Sequence, residues 1–336
     1  MRIKLSVARL GVCSALAALI VLVISGGGSA AAGDQSASTS AVACKPAKNV
    51  EAIIDDSGSM SVSDPAKFRL SLLNAFVNIG TNNGLVFGGG EFGSAYNPLF
   101  GPATIPGVIT PMQASFVQVD SDNGGTDYQE AFAGATAHNG VADARIFLTD
   151  GLATPPTSHL APRVKTFVIA LGADFASDPD AQALLGQIAA DTGGPAPFLV
   201  VDPSQIQPVA GAITAAINCK KPPLTFTNLF DKQGEQVGYA FKPDGKSADI
   251  LISWGNPTTL LDPAGFSIQG GRGGAASSSL ATLAKKGKAK IKVKEKKGAT
   301  FVTVKLKGLK KGKKVKFKVK AKKLSAPTVG TTQIIR

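Results

Sequence analysis

Histidine and cysteine are scarce in this chain of 336 residues, which has only two histidines and three cysteines. Zinc sites are built mainly from these residue types, so a zinc site is poorly supported. His138 and His159 lie in loop-like sequence without a matched serine nucleophile, and we expect both at the surface. Aromatic residues make up only 6% of the chain, and the single Trp254 is expected in a hydrophobic core.

Several motifs of enzymes and binding loops are incomplete. The glycines at 88–90 are not followed by Gly-Lys-Ser/Thr, which excludes a phosphate-binding loop. Asp120–Gly124 suggests a calcium loop, but Ala131 occupies the place where an EF-hand needs Glu. This segment is better interpreted as the loop that presents Thr126. An aspartyl-phosphate motif would need a second acid at Ser57. No catalysis is predicted.

The N-terminal residues 1–32 have the pattern of a secretory signal peptide. Basic residues precede an apolar run from Leu10 to Ile24, and small residues continue to Ala32. An uncleaved membrane anchor is the alternative, but Gly26–Gly28 make the apolar span too short for a bilayer. No second apolar span follows. We therefore expect a secreted or cell-surface protein without a transmembrane span after cleavage.

Export changes the interpretation of the cysteines. Cys13 would leave with the signal peptide, and Cys44 and Cys219 would remain in an oxidising compartment. They lie just before the first predicted strand and just after the last predicted helix of the first domain, so a disulfide between them would join both ends of that domain. Two separate thiols are the alternative, because sequence alone does not give the distance between the Cα atoms.

After a linker at 33–47, residues 48–219 alternate between apolar strands and amphipathic helices, which is typical of a doubly wound, mostly parallel α/β sheet. Asp64 followed by Pro65 is typical of an N-cap with proline at the first helical position, which predicts the start of a helix there. Residues 91–113, rich in Gly and Pro, could include a short irregular strand. The predicted strands are 49–55, 84–89, 114–119, 144–149, 165–171 and 197–202, and the predicted helices are 64–79, 126–137, 179–191 and 204–218.

From 220 to 336 the hydrophobic period changes to two, which predicts antiparallel strands with one solvated face in a small β-sandwich. The segment 309–319 weakly resembles a late hairpin of fibronectin type III or immunoglobulin-like modules. The predicted strands contain Ile250–Trp254, Phe266–Gln269, Lys288–Lys294, Val302–Leu306 and Val315–Val319.

The basic residues are concentrated at one end of the chain. The net charge is +13, with +19 between Lys285 and Arg336 and −6 in the rest. Such a segment could bind nucleic acid or anionic cell-envelope polymers. Because the lysines alternate with apolar residues, a solvated strand face is the favoured interpretation, and nucleic acid is disfavoured.

Five oxygen-bearing side chains follow strands or precede a helix in the α/β segment. Asp55, Ser57 and Ser59 follow the first strand in Asp-Asp-Ser-Gly-Ser, Asp150 follows the fourth, and Thr126 follows a Gly-Gly turn. Ligands of open α/β sheets bind beyond the carboxyl ends of the strands, where these residues would meet. Hard cations prefer such oxygen donors, so a divalent-cation site is predicted.

These motifs over about residues 48–219 resemble the von Willebrand factor type A domain and its metal-ion-dependent adhesion site. The resemblance implies that Ser57, Ser59 and Thr126 contact Mg²⁺ or Mn²⁺ through hydroxyls, while Asp55 and Asp150 act largely through waters. It also implies that an Asp or Glu of a protein partner completes the coordination.

The predicted function is therefore adhesion by a secreted, metal-dependent binding protein. One alternative is a polyanion or cell-envelope binder that uses the lysine-rich domain. A metal-dependent hydrolase is the other, although no base or nucleophile is positioned beside the cluster.

Overall fold

A six-stranded sheet in the order β3-β2-β1-β4-β5-β6 forms the first half of the computed structural model. The structure describes residues 44–151, 153, 163–254, 258–268, 290–295 and 301–336. Only β3 runs antiparallel to its neighbour. The strands are β1 (Asn49–Asp55), β2 (Val86–Phe92), β3 (Tyr96–Thr104), β4 (Ala144–Thr149), β5 (Lys165–Leu171) and β6 (Phe198–Val200).

Helices cover both faces of this sheet, since neighbouring residues of one strand enter different cores. Ile54 of β1 packs in the cluster that contains α2 and α6, whereas Ile53 packs against α4 and α5. The predicted doubly wound α/β fold is thus confirmed. The helices are α1 (Met60–Ser63), α2 (Phe68–Asn78), α3 (Ile109–Ser115), α4 (Tyr128–His138), α5 (Pro179–Asp191) and α6 (Pro203–Ile217).

The predicted strand at 114–119 is wrong. Residues 109–115 form α3, followed by a turn that ends at the buried Val119. The short irregular strand that the sequence allows within 91–113 is the nine-residue strand β3, whose pairing with β2 has register shifts. The predicted helix at 64–79 begins later, at Phe68, because the Asp64 carboxylate accepts hydrogen bonds from the N–H groups of Phe68 and Arg69. Asp64 therefore caps the helix across an intervening turn.

The second half forms two antiparallel sheets, as the period-two pattern predicts. They have the orders β10-β13-β8 and β11-β12-β9-β14-β7. Trp254 is buried in the core between them, as expected. The strands are β7 (Leu224–Phe230), β8 (Gln236–Phe241), β9 (Ser247–Trp254), β10 (Leu260–Ile268), β11 (Lys290–Glu295), β12 (Phe301–Lys307), β13 (Val315–Lys323) and β14 (Thr328–Ile335).

The five-stranded sheet corrects the expectation of one solvated face throughout. Thr303, Leu251 and Gln333 form one row across β12, β9 and β14, and all three are buried. Leu251 packs in the same cluster as the apolar face of α6. The Gln333 side-chain amide donates to the Pro208 carbonyl of α6 at 3.0 Å. Residues 44–336 thus form one compact unit in which the sandwich packs on the α/β sheet through α6.

A disulfide joins Cys44 and Cys219, whose Cα atoms are 5.7 Å apart. Beside it, the Ala47 N–H donates to the carbonyl of Ile217 at 2.9 Å. The first strand and the last helix of the α/β sheet therefore meet at one place. The predicted signal peptide at 1–32, most of the linker at 33–47, Cys13 and His159 lie outside the described residues.

Within the described residues, every helix is too short or too polar to cross a bilayer.

Candidate metal centre

Asp55 lies at the carboxyl end of β1, where both of its carboxylate oxygens accept hydrogen bonds. Oδ1 accepts from the Ser57 hydroxyl at 2.6 Å and from the Ser57 N–H at 2.9 Å. Oδ2 accepts from the Thr149 hydroxyl at 2.6 Å. Because Ser57 donates its proton to Asp55, the lone pairs of its hydroxyl oxygen remain available for a cation.

The other predicted ligands of this strand edge lie beside Asp55. The Ser59 hydroxyl is 3.2 Å from that of Ser57. Asp150 follows β4 directly, and its negative charge acts on Asp55. Asp150 Oδ2 accepts from the hydroxyl of Ser63, at the end of α1, at 2.9 Å. The structure thus brings Asp55, Ser57, Ser59 and Asp150 to one edge.

The loop before Thr126 is bonded to this edge. The Gly58 N–H donates to the Gly124 carbonyl at 3.0 Å, which ties the loop before Thr126 to the segment between Ser57 and Ser59. Asp127 then caps α4 by accepting from two backbone N–H groups. Thr126 therefore precedes the helix by two positions rather than opening it.

Burial dominates the electrostatics of Asp55. It raises the pKa of the Asp55 carboxyl to about 6, against the opposing hydrogen bonds from Ser57 and Thr149, and the nearby Asp150 adds to the increase. A buried carboxylate close to a second one is unfavourable unless a cation compensates the charge. The donors are all oxygen atoms, so the residues at this edge suit a hard divalent cation.

Two residues outside the sequence motif complete the surroundings of Asp55. Thr149 is fully buried, and its hydroxyl is 2.8 Å from that of Tyr128 as well as bonded to Asp55. The alternation of side chains along β4 predicts on which face of the sheet Thr149 lies. Leu148 faces one core and pairs with Ile54, so Thr149 must face the same side as Asp55.

A second acidic group lies beside the predicted metal ligands. Burial raises the pKa of Asp56 although Ser121 and Arg69 donate hydrogen bonds to it. Arg69 is itself fully buried and pairs with Asp56 at 3.2 Å and with Asp64 at 3.0 Å. Burial, followed by the charge of Asp56, raises the pKa of Glu91 to about 7. No sequence motif marks Arg69 or Glu91.

His138 is not the free surface residue that the sequence predicts. Its Nδ1 lies 2.7 Å from Oε1 of Glu51, and its side chain is only 13% exposed. Glu51 is fully buried and also accepts from the Tyr96 hydroxyl at 2.8 Å. These groups lie on the α4 face of the sheet, under the middle of β1, away from the strand end that carries Asp55.

Comparison with solved structures finds fold similarity at low identity. An aerotolerance-related membrane protein from Bacteroides fragilis is 18% identical, with a TM-score of 0.40, over 51% of this chain and 98% of that protein. Mussel proximal thread matrix protein 1, with a zinc-occupied MIDAS motif, is 14% identical, with a TM-score of 0.40, over 55% of this chain and 50% of that one. A von Willebrand factor type A protein from Catenulispora acidiphila is 14% identical, with a TM-score of 0.35, over 82% of this chain and 58% of that protein.

No family profile and no curated protein matches the chain. The likenesses to solved structures concern the fold alone. The chain's own sheet order, β3-β2-β1-β4-β5-β6 with β3 antiparallel, and the helices on both faces agree with the fold that the sequence resemblance to the type A domain implies.

Proposed function

We propose that this protein is a secreted adhesion protein that binds an acidic group of a protein partner through a divalent cation, Mg²⁺ or Mn²⁺. The cation would be held by Ser57, Ser59 and Thr126, with Asp55 and Asp150 behind them. The observation that carries the proposal is the Ser57–Asp55 hydrogen bond of 2.6 Å, which leaves the lone pairs of a neutral hydroxyl oxygen free beside a buried carboxylate.

The charge of this arrangement favours an acidic partner. Three of the five proposed ligands are neutral hydroxyls, and the two carboxylates are turned toward neighbouring donors, Asp55 toward Ser57 and Thr149 and Asp150 toward Ser63. When bound, the cation supplies a Lewis-acidic position that a carboxylate can occupy. The hydroxyls of this chain neutralise little of its charge, so an Asp or Glu side chain gains more there than a neutral group.

The first test measures the cation site without a partner. Mn²⁺ binding is followed by calorimetry and electron paramagnetic resonance in wild type, Ser57→Ala, Thr126→Ala and Asp150→Ala. We expect each substitution to weaken Mn²⁺ binding by at least about tenfold. Ser61→Ala is the matched control, because the exposed Ser61 hydroxyl lies in the same segment but donates to the Gly58 carbonyl. Unchanged Mn²⁺ affinity in all three variants would contradict the site.

The second test adds the acidic group. Acetate, or a peptide with one Asp, is added to the Mn²⁺-loaded protein while the water proton relaxation rate is measured. A carboxylate that replaces a metal-bound water should lower this rate, and the matching Asn peptide should not. Capture of cell-surface proteins should then require Mn²⁺ or Mg²⁺ and stop in EDTA. Capture that persists in EDTA and in Asp150→Ala would reject metal-dependent adhesion.

A second candidate function rests on the exposed face of β13. Lys316, Lys318 and Lys320 are exposed in the middle strand of the three-stranded sheet. Their β8 neighbours are the small Ala240, Gly238 and the uncharged Gln236, so the lysine ammonium groups are not shielded on that side. Such a row could attract an anionic cell-envelope polymer.

Retention on immobilised polyphosphate tests this candidate. We expect retention that falls with salt, is unaffected by EDTA and is reduced in Lys316→Glu/Lys318→Glu/Lys320→Glu. Lys165→Glu reverses a single charge at an exposed position at the start of β5 and serves as the control. Equal retention of the triple variant and wild type would exclude a role of this face.

A further inference from the structure

Three carboxylates converge beside the metal centre without belonging to it. One ligand oxygen each of Asp56, Asp120 and Asp122 lies within 4.8 Å of the other two. Asp56 follows β1 directly and is fully buried, while Asp120 and Asp122 are exposed on the loop before α4. None of the three is among the ligands proposed for the adhesion site.

Backbone hydrogen bonds hold this loop against Asp56. The Ser121 N–H donates to Asp56 Oδ1 at 2.7 Å, and the Asn123 N–H donates to the Asp56 carbonyl at 3.1 Å. Asp120 and Asp122 flank Ser121, so fixing Ser121 on Asp56 keeps all three carboxylates together. They are therefore held at one place although like charges repel.

Glu91 supplies an independent sign of a cation site. It lies on β2, next to β1, and is only 8% exposed. Its Oε2 atom is buried without a hydrogen-bond partner among the described residues. The charges of Asp56, Asp120 and Asp122 all act on Glu91. A buried carboxylate oxygen without a partner, close to three other carboxylates, is unfavourable unless a cation is present.

The local cations of the chain do not compensate this charge. Arg69 donates to Asp56 Oδ1 but also pairs with Asp64, so its single charge is shared. Asp56 Oδ2 remains buried without a hydrogen-bond partner among the described residues. The Lys67 ammonium lies near the start of the loop, where it donates to the Val119 carbonyl at 2.7 Å. Three carboxylates therefore converge, and Glu91 lies near enough for their charges to act on it, while the described basic side chains leave Asp56 Oδ2 without a partner.

We propose that Asp56, Asp120, Asp122 and Glu91 form a second cation site, which takes Ca²⁺. Ca²⁺ binds oxygens at about 2.3–2.6 Å, so ligands on opposite sides of the ion are about 4.6–5.2 Å apart. Mg²⁺ needs opposite ligands only about 4.0–4.2 Å apart in near-ideal octahedral geometry. The carboxylates come from a buried strand end and an exposed loop, an irregular set of oxygens that suits the ion with the more adaptable coordination.

The site would have a direct effect on the adhesion site, because one loop serves both. Thr126 follows Asp122 by four residues, and the Gly124 carbonyl between them accepts from the Gly58 N–H. Ca²⁺ bound by Asp120 and Asp122 would hold this loop to Asp56 and so hold Thr126 in place.

The test is equilibrium dialysis with Ca²⁺ on the full mature chain in the Asp150→Ala background, in which the adhesion site is impaired. We expect one Ca²⁺ per chain there. Asp120→Asn/Asp122→Asn should weaken its binding by more than about tenfold, since losing a ligand costs at least as much as losing an outer hydrogen-bond partner. Glu91→Gln should also weaken it. Asp191→Asn, an exposed acid at the end of α5, should not.

Circular dichroism verifies that the variants are folded. Because Asp120 and Asp122 are exposed, we expect their substitution to leave the fold intact. Failure to bind Ca²⁺ in the Asp150→Ala background, or unchanged affinity in both Asp120→Asn/Asp122→Asn and Glu91→Gln, would overturn the second site. Neither result bears on Mn²⁺ binding by Ser57, Thr126 and Asp150, so the two proposals fail separately.

Discussion

Gly211 of α6 lies directly against Gln333 of β14. A Cβ atom at position 211 would overlap the Gln333 side-chain amide and come within 2.9 Å of Leu251. Gly211 thus allows α6 to approach the five-stranded sheet closely enough for Gln333 to bond to the Pro208 carbonyl.

Gly211→Ala should therefore destabilise the protein, against the usual helix propensity. Alanine in a helix normally stabilises by up to about 1 kcal/mol relative to glycine. Overpacking at a tight contact costs about 1–3 kcal/mol, so we expect a net loss in the free energy of unfolding, measured in urea. Gly186→Ala in α5 is the control, because open space surrounds Gly186. Its substitution should stabilise, and a stabilising Gly211→Ala would refute the close contact.

The Cys44–Cys219 disulfide should contribute strongly to stability. It spans 175 residues, and loss of a native disulfide typically costs about 2–5 kcal/mol through the entropy of the unfolded chain. Cys44→Ser/Cys219→Ser should show this loss in urea unfolding. A reductant should lower the stability of wild type to that of the variant and leave the variant unchanged. Equal stability of oxidised wild type and variant would argue against the bond.

Thr149→Val should weaken cation binding while the fold is retained. Thr149 supports Asp55 through a 2.6 Å hydrogen bond but is not a proposed ligand. Loss of such a supporting partner typically weakens metal binding about 10–100-fold. Mn²⁺ calorimetry measures the effect. Thr136→Val, which alters a hydroxyl on α4 bonded to Arg145 and Phe132, serves as control and should keep the wild-type affinity.

His138 should make stability depend on pH. The hydrogen bond to Glu51 raises the pKa of His138 above its usual value of 6.5. A histidine whose pKa is higher in the folded state contributes its full stabilisation below its pKa in the unfolded chain, about 6.5. The contribution is lost as the pH rises through the folded-state pKa. The difference in unfolding free energy between wild type and His138→Gln should shrink above that pH. A difference that is constant from acid to alkaline pH would show that the ion pair contributes nothing.

Continuous apolar runs and helix signals made much of the α/β fold predictable. The predicted strands at 49–55, 144–149 and 165–171 match β1, β4 and β5, since a strand buried on both faces has an unbroken apolar run. The helix at 179–191 matches α5 because Asp178 caps it ahead of Pro179. The prediction of a strand at 114–119 was wrong because β-branched and aromatic residues there favour a strand. In the structure, Met112 and Ser115 are buried at helical spacing instead.

Contacts between distant segments explain what the sequence did not reveal. Thr303 and Gln333 are polar residues on outward strand faces, a pattern typical of solvent exposure, yet α6 covers that sheet. Similarly, Lys305 donates to the Gly80 carbonyl and Asp249 accepts from Thr81, so two charged residues of the sandwich serve the contact with the α/β sheet. Glu91 is the single charged residue of β2, and only the fold places it near enough for the charge of Asp56 to act on it.

The disulfide at the two ends of the α/β sheet also determines where mechanical load runs. Tension applied between residues before Cys44 and the sandwich after Cys219 passes through the covalent sulfur bridge. Residues 45–218, which include every proposed ligand, lie inside the closed loop and are bypassed by this covalent path. An adhesive contact made at Ser57 and Thr126 would instead load the sheet from its ligand edge, so the strands β1 and β4 rather than the chain ends would bear the force.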